Sequence, residues 1–201
     1  YLPPQLVDAI ISGEKQVSFE TKRQKLTIFF SDIQGFTAAT DALEAEDLSA
    51  ILNEYFAEMI SLAHKWGGTI DKFMGDGLMM FFGAPEITPD KNNAINCVKM
   101  AIDMQAKMKL LHNKWYNNGL EIPLLTRIGI NTGTATVGNF SAKGRLSYTA
   151  IGGQVNLASR LESLCEPGGI LISHSTWALV KDEIKCTEAK KVKVKKAKEN
   201  N

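Results

Sequence analysis

Apolar runs that stop at aspartate beside glycine dominate the pattern of this chain. Leu26-Thr27-Ile28-Phe29-Phe30 runs into Ser31-Asp32-Ile33-Gln34-Gly35, and Gly75-Asp76-Gly77 is followed at once by Leu78-Met79-Met80-Phe81-Phe82. Runs rich in β-branched and aromatic residues and bounded by turn formers predict buried strands, here over 26–31, 69–74 and 78–82. Asp-Gly is a strong hairpin signal, so Gly75-Asp76-Gly77 is expected at a hairpin tip with Asp76 exposed. Between the first strand and the hairpin, Leu48, Leu52, Tyr55, Phe56, Met59, Ala63 and Trp66 recur at helical spacing, and Gly67-Gly68 follows. That predicts a helix over 45–66 ended by glycine.

A second helix is predicted over 92–115, with Ile95, Val98, Ile102, Met108, Leu111 and Trp115 on one face and Asn117-Asn118-Gly119 as its stop. Strands over 124–131 and 135–140, separated by a turn at Thr132-Gly133, come next, then a strand over 146–151. Gly152-Gly153 leads into a helix over 154–164, and a strand over 170–173 with a short helix to 180 precedes a lysine-rich end. The order βαββαβ, with a hairpin rather than strict alternation, predicts an α+β fold with helices on one sheet face. Residues 1–24, opening with Pro3-Pro4, read as a connector with a short helix, and 25–201 as one domain.

Composition excludes more than it proposes. The chain has 201 residues, 44% of them hydrophobic, and a net charge of +1, so no global field favours nucleic acid or a membrane surface. No apolar stretch approaches the roughly 18 residues of a membrane span. Cys97, Cys165 and Cys186 are odd in number and widely spaced, as are His64, His112 and His174. This fits reduced thiols in a cytoplasmic setting rather than disulfides, a zinc site or a histidine-based triad. A start at Tyr1 without methionine or signal peptide is read as a fragment of a longer protein, such as a membrane-associated sensor.

Two carboxylates at strand ends repel each other unless a cation or proton neutralises them. Asp32 and Asp76 therefore read together as ligands for Mg²⁺ or Mn²⁺ in phosphoryl or nucleotidyl transfer, whereas either alone is an ordinary turn residue. The first strand, the helix and the Asp-tipped hairpin together resemble the class III adenylyl/guanylyl cyclase catalytic domain. The resemblance continues through Arg127-Ile128-Gly129-Ile130-Asn131-Thr132-Gly133 and through Tyr148-Thr149-Ala150-Ile151-Gly152-Gly153-Gln154-Val155-Asn156-Leu157-Ala158-Ser159-Arg160-Leu161-Glu162. It covers about 25–180, and several motifs in the right order make it specific. It implies a ferredoxin-like βαββαβ core with additional C-terminal strands and helices. It also implies a head-to-tail homodimer with shared active sites and conversion of a nucleoside triphosphate to its 3′,5′-cyclic monophosphate plus pyrophosphate.

Residue roles carry over from the same resemblance. Asp32, Asp76 and the Ile33 carbonyl would bind two ions per active site. Ile33, Gln34, Gly35, Phe36 and Thr37 would offer backbone N–H groups to the β- and γ-phosphates, with Phe36 equally readable as core. Asn156, orienting the ribose, and Arg160, contacting the α-phosphate, are four residues apart and share one helix face. A phosphate-binding lysine is expected in the C-terminal segment, where Lys195, Lys196 and Lys198 leave the register open. A solvated charge run is the plain alternative for that segment. Some family members carry a triphosphate arginine where this chain has Thr134.

Lys72 and Thr149 stand where family members read the base. Lysine donates to adenine N1, and a threonine hydroxyl can accept from the 6-amino group, taking the part of the family's aspartate. The pair resembles the threonine-bearing adenylyl cyclase subgroup, some of whose members respond to bicarbonate. The expectation is an adenylate cyclase acting on ATP. Alternatives are a guanylate cyclase, since Lys72 alone does not repel guanine O6, and a catalytically silent nucleotide-binding regulatory module. A diguanylate cyclase or polymerase palm shares the carboxylate logic but not the Asn156–Arg160 helix.

Overall fold

The structure is a computed structural model that describes residues 20–142 and 145–187. Residues 1–19 of the expected connector over 1–24 and the C-terminal lysines Lys195, Lys196 and Lys198 lie outside the described residues, and 21–24 belong to the first strand rather than to a connector. The elements in chain order are β1 (Thr21–Gln34), α1 (Phe36–Ala42), α2 (Ala45–Trp66), β2 (Thr69–Met74), β3 (Gly77–Phe82), α3 (Asp90–Asn117), β4 (Leu125–Ala142), β5 (Arg145–Ile151), α4 (Gly153–Leu164), β6 (Ile170–Ile172) and α5 (His174–Val180). The sheet order is β2-β3-β1-β4-β5, all antiparallel, with β6 added parallel to β4. This is the expected α+β architecture, with a ferredoxin-like βαββαβ core extended at its C-terminal side, but the helices do not keep to one sheet face: α2 and α3 cover one and the added α4 covers the other.

Strand parity sorts the core into two. Phe29, Ile33, Leu78, Met80, Phe82, Ile128 and Ile130 face α2 and α3 and form the larger cluster with Tyr55, Met59, Met104 and Trp115. The alternate positions Leu26, Ile28, Phe30, Met79, Phe81, Ala135 and Val137 face the other way and pack with Tyr148, Ala150, Val155 and Ala158. Period-two alternation on a sheet covered on both faces makes every position of the strand apolar, which is why β3 is buried throughout. Asp32 lies on the second face, the one α4 covers, and so does Arg127, opposite it in the β1–β4 register.

Three local expectations change. The turn expected at Thr132-Gly133 is straight strand: β4 runs unbroken, with Thr132 paired to Thr27 and Gly133 to Leu26. Thr132 is buried, its hydroxyl 3.0 Å from those of both Thr27 and Thr176. Gly133 is there for close approach, since a Cβ would lie 2.6 Å from the Gln154 side chain. Ile102 is 46% exposed, because the buried stripe of α3 runs one position earlier, through Cys97, Ala101, Met104, Met108, Leu111 and Trp115. Asp76, expected to be exposed, is half-buried because the hairpin tip folds against the end of β1.

Helix α4 sits on β4 at a second glycine. A Cβ on Gly129 would come within 2.1 Å of the Glu162 backbone nitrogen and 2.5 Å of Ala158 O, both parts of the helix backbone that cannot move independently. Gly129→Ala is therefore expected to cost about 3 kcal/mol or more, lowering Tm by about 6–12 °C in thermal unfolding followed by circular dichroism. An unchanged Tm would mean that α4 packs on β4 less closely than this.

Candidate active site

Sheet geometry brings the two aspartates together. Asp32 ends the apolar stretch of β1, and Asp76 sits in the two-residue turn between β2 and β3, with Met74 paired to Gly77. Gly75 takes φ 64°, the left-handed conformation that such a turn favours. Gly77 lets the tip approach β1: a Cβ there would meet Ser31 O at 2.9 Å and Asp32 Oδ1 at 3.7 Å. The Ile33 N–H donates to Asp76 Oδ2 at 3.0 Å, so the residue after one carboxylate holds the other. Burial first, and then the charge of Asp32, raise the Asp76 carboxyl above its ordinary value.

Arg127 is the countercharge. Its guanidinium donates to Asp32 Oδ2 at 2.7 Å and lies 3.2 Å from Glu162 Oε1 on α4. Hydrogen bonding to Asp32 holds Arg127 above its ordinary value, and burial raises Glu162 against the pull of Arg127. Sequence reasoning gave neither residue a role, although both lay within the quoted motifs. The available signal was Glu162 itself, a charged residue among Val155, Ala158 and Leu161 on the buried face of α4.

The donor set fits a hard divalent cation. Two neighbouring carboxylates, of which only Asp32 is paired with a guanidinium, are the kind of oxygen ligands that Mg²⁺ accepts when substrate phosphates and water complete its shell, and the Ile33 carbonyl would add a further one. Among the described residues no cluster of three or more His, Cys, Asp or Glu side chains could hold a metal ion.

A second group lies where β2 meets β5. These strands are the two ends of the five-strand path, yet Lys72 Nζ donates to Thr149 Oγ1 at 3.1 Å, so the sheet curls until its ends touch. The expected base readers are thus adjacent. Asp71, missed by sequence reasoning, underlies both: Thr149 Oγ1 donates to its Oδ2 at 2.6 Å and the Ala150 N–H to the same oxygen at 3.2 Å. Lys72 Nζ lies 3.4 Å from its other oxygen.

Other expected site residues are placed differently. Gln34 and Thr37 are exposed, and Gly35 (φ 86°) turns β1 into α1, whose start no side chain caps. Phe36 packs against the larger core cluster. On α4, Asn156 is exposed and Arg160 half-buried, two positions to either side of Ala158. At 100° per residue both point away from the face that Ala158 and Glu162 turn to the sheet. Within one chain, then, Asn156 and Arg160 do not converge on Asp32 and Asp76.

The sequence matches the family described as Adenylate and Guanylate cyclase catalytic domain over residues 19–201. The chain belongs to that family. As a cyclase catalytic domain it is 55% identical to the adenylyl cyclase CyaB from P. aeruginosa, whose crystal structure it matches with a TM-score of 0.82 over 83% of this chain and 85% of that one. It matches the guanylyl cyclase Cya2 with a TM-score of 0.76 at 36% identity, over 85% of this chain and 88% of that one. Among curated relatives, Adenylate cyclase 1 of Rhizobium meliloti is 34% identical over 187 residues, 92% of this chain but 28% of that protein. The chain thus spans less than a third of the length of that relative. Class III cyclases generally depend on Mg²⁺ or Mn²⁺. Among the described residues no helix is long and apolar enough to cross a membrane.

Proposed function

We propose that this domain is an adenylate cyclase that converts ATP to 3′,5′-cyclic AMP and pyrophosphate, in a head-to-tail homodimer with shared active sites, and that it works in the cytoplasm as part of a larger protein. The observation that carries this reading is the meeting of Asp32 and Asp76 at the β1 end and the β2–β3 tip. The 55% identity to an adenylyl cyclase supports ATP over GTP. In the reaction the ribose 3′-oxygen bonds to the α-phosphorus, the bond from that phosphorus to the α,β-bridging oxygen breaks, pyrophosphate departs, and the 3′-hydroxyl proton goes to solvent.

Each of the chain's residues has one task. Asp32, Asp76 and the Ile33 carbonyl would hold two Mg²⁺ or Mn²⁺ ions. When bound, such ions lower the pKa of a coordinated hydroxyl and offset triphosphate charge. Residues 33–37 would lay backbone N–H groups along the β- and γ-phosphates. Asn156 would orient the ribose, and the Arg160 guanidinium would meet charge that develops on the α-phosphate oxygens. Lys72 would donate to adenine N1, and Thr149 would accept from the 6-amino group. A lysine among Lys195, Lys196 and Lys198 would pair with phosphate, and bicarbonate is the proposed regulator.

The test is turnover of ATP and GTP by the purified domain with Mg²⁺ or Mn²⁺, the products separated by chromatography. Cyclic AMP as the main product supports the reading, and cyclic GMP alone would replace ATP by GTP. No cyclic product from either nucleotide would leave a regulatory module. Bicarbonate added at fixed pH tests the regulator separately.

A further inference from the structure

A threonine hydroxyl is ambivalent. It can accept a hydrogen bond from adenine's 6-amino group or, after rotating, donate one to guanine O6. Thr149 alone therefore discriminates poorly between the two bases. What stands behind it is Asp71, whose side chain is completely buried at the junction of β2 and β5.

A carboxylate only accepts hydrogen bonds, so the 2.6 Å contact commits the single hydroxyl proton of Thr149 to Asp71 Oδ2. The free lone pairs of Thr149 then point outward as acceptors; in this structure one of them takes the Lys72 ammonium at 3.1 Å. The Ala150 N–H, donating to the same Asp71 oxygen at 3.2 Å, is fixed by the backbone and holds the carboxylate in place. The other oxygen, Oδ1, lies 3.4 Å from Lys72 Nζ and has no hydrogen-bonding partner of ordinary geometry among the described residues. One buried anion thus orients both side chains: an obligate donor at Lys72 beside an obligate acceptor at Thr149. Adenine presents the complement, an acceptor at N1 next to a donor at its 6-amino group. Guanine presents a donor at N1 next to an acceptor at O6 and is mismatched at both.

We infer that Asp71 is a specificity-determining positioning residue, which selects adenine over guanine by locking Thr149 as a hydrogen-bond acceptor. The inference rests on the reading of Lys72 and Thr149 as base contacts. It differs from a purely structural role, in which Asp71 only clasps β2 to β5. A clasp would affect both nucleotides alike, whereas the lock acts on their ratio.

The experiment measures kcat/KM for ATP and for GTP in the wild type, Asp71→Ala, Asp71→Asn, Thr149→Val and the double variant Asp71→Ala/Thr149→Val. Asp71→Ala frees the hydroxyl to rotate and should lower the ATP/GTP ratio about tenfold or more, the scale of one misdirected hydrogen bond in a buried site. Asp71→Asn should keep the ratio within about threefold, because the fixed Ala150 N–H selects the amide oxygen for the place next to Thr149. Thr149→Val should lower the ratio by itself, and adding Asp71→Ala to it should change the ratio no further, as expected when one residue acts through the other. Should Asp71→Ala fail to fold, Asp71→Ser replaces it: its hydroxyl is too short to reach Thr149, so the same loss of ratio is expected.

Equal loss on both nucleotides in a folded Asp71→Ala or Asp71→Ser protein, with Thr149→Val still shifting the ratio, would overturn the lock and leave the base contact standing. A further drop on top of Thr149→Val would also overturn it, since Asp71 would then act by another route. An unmoved ratio in Thr149→Val would instead remove the base contact itself, and the lock with it.

Discussion

Mixing an Asp32→Ala protein with an Arg160→Ala protein, each nearly inactive alone, is expected to restore roughly a quarter of wild-type turnover. The expectation comes from symmetry. Asp32 lies on the sheet face beneath α4, while Asn156 and Arg160 point away from that face. One chain does not bring the two groups to a single phosphate in this arrangement, whereas in the proposed head-to-tail dimer a second chain related by a two-fold axis would. In each mutant homodimer both shared sites carry one defect. In a mixed dimer one site carries both defects and the other carries none. Random subunit exchange makes about half of the dimers mixed, each with one of its two sites intact. Native mass spectrometry confirms the heterodimers and chromatography counts the cyclic product. Heterodimers without activity would place all of these residues in one chain's site and refute the shared architecture.

Asp76→Asn and Asp32→Asn should each reduce turnover by about 10³-fold or more, because a neutral amide replaces an anionic ligand and cannot offset cation charge. The same variants should leave the fold intact. In Asp76→Asn the amide oxygen can still accept the Ile33 N–H, held at 3.0 Å by Asp76 in the wild type. In Asp32→Asn, Arg127 keeps Glu162 at 3.2 Å as its partner. Asp76 is also destabilising as an anion: burial and the neighbouring Asp32 raise its carboxyl above the ordinary value. A folded-state pKa above the unfolded one means that stability falls as pH rises between the two, and the loss is complete once pH exceeds the folded-state value. Metal-free Asp76→Asn should accordingly melt at or above the wild-type temperature at pH 7. A dead variant that also melts well below wild type would owe its inactivity to misfolding. A variant with near-normal turnover would refute the carboxylate assignment outright.

Much of this is written in local sequence. The apolar run 26–30 and the glycine-flanked Asp76 specify strands and a tight turn because side-chain alternation and φ > 0 preferences act within a few residues. The helix over 45–66 is legible to its ends, since the apolar period and the closing Gly67-Gly68 are both local signals. Asp32 and Asp76 could be paired from their places at strand ends, whereas Lys72 and Thr149 could be named only through the family resemblance. Thr132-Gly133 misleads for the opposite reason: a dipeptide that suits a turn is held straight by pairing with β1 and by the passage of Gln154 overhead. Arg127 meets Asp32 across 95 positions of sequence, and Asp71 meets Thr149 across 78. The sequence by itself thus determined most of the elements, their order and the reactive residue types, but neither the continuity of β4 nor the short α1. Only the tertiary structure decided that Asp76 is half-buried, that Arg127 bridges Asp32 and Glu162 as their countercharge, and that one buried carboxylate directs the Thr149 proton. Those outcomes depend on strand register and on the curl that brings β2 to β5, which arise from packing the whole sheet around its second core rather than from any short window of residues.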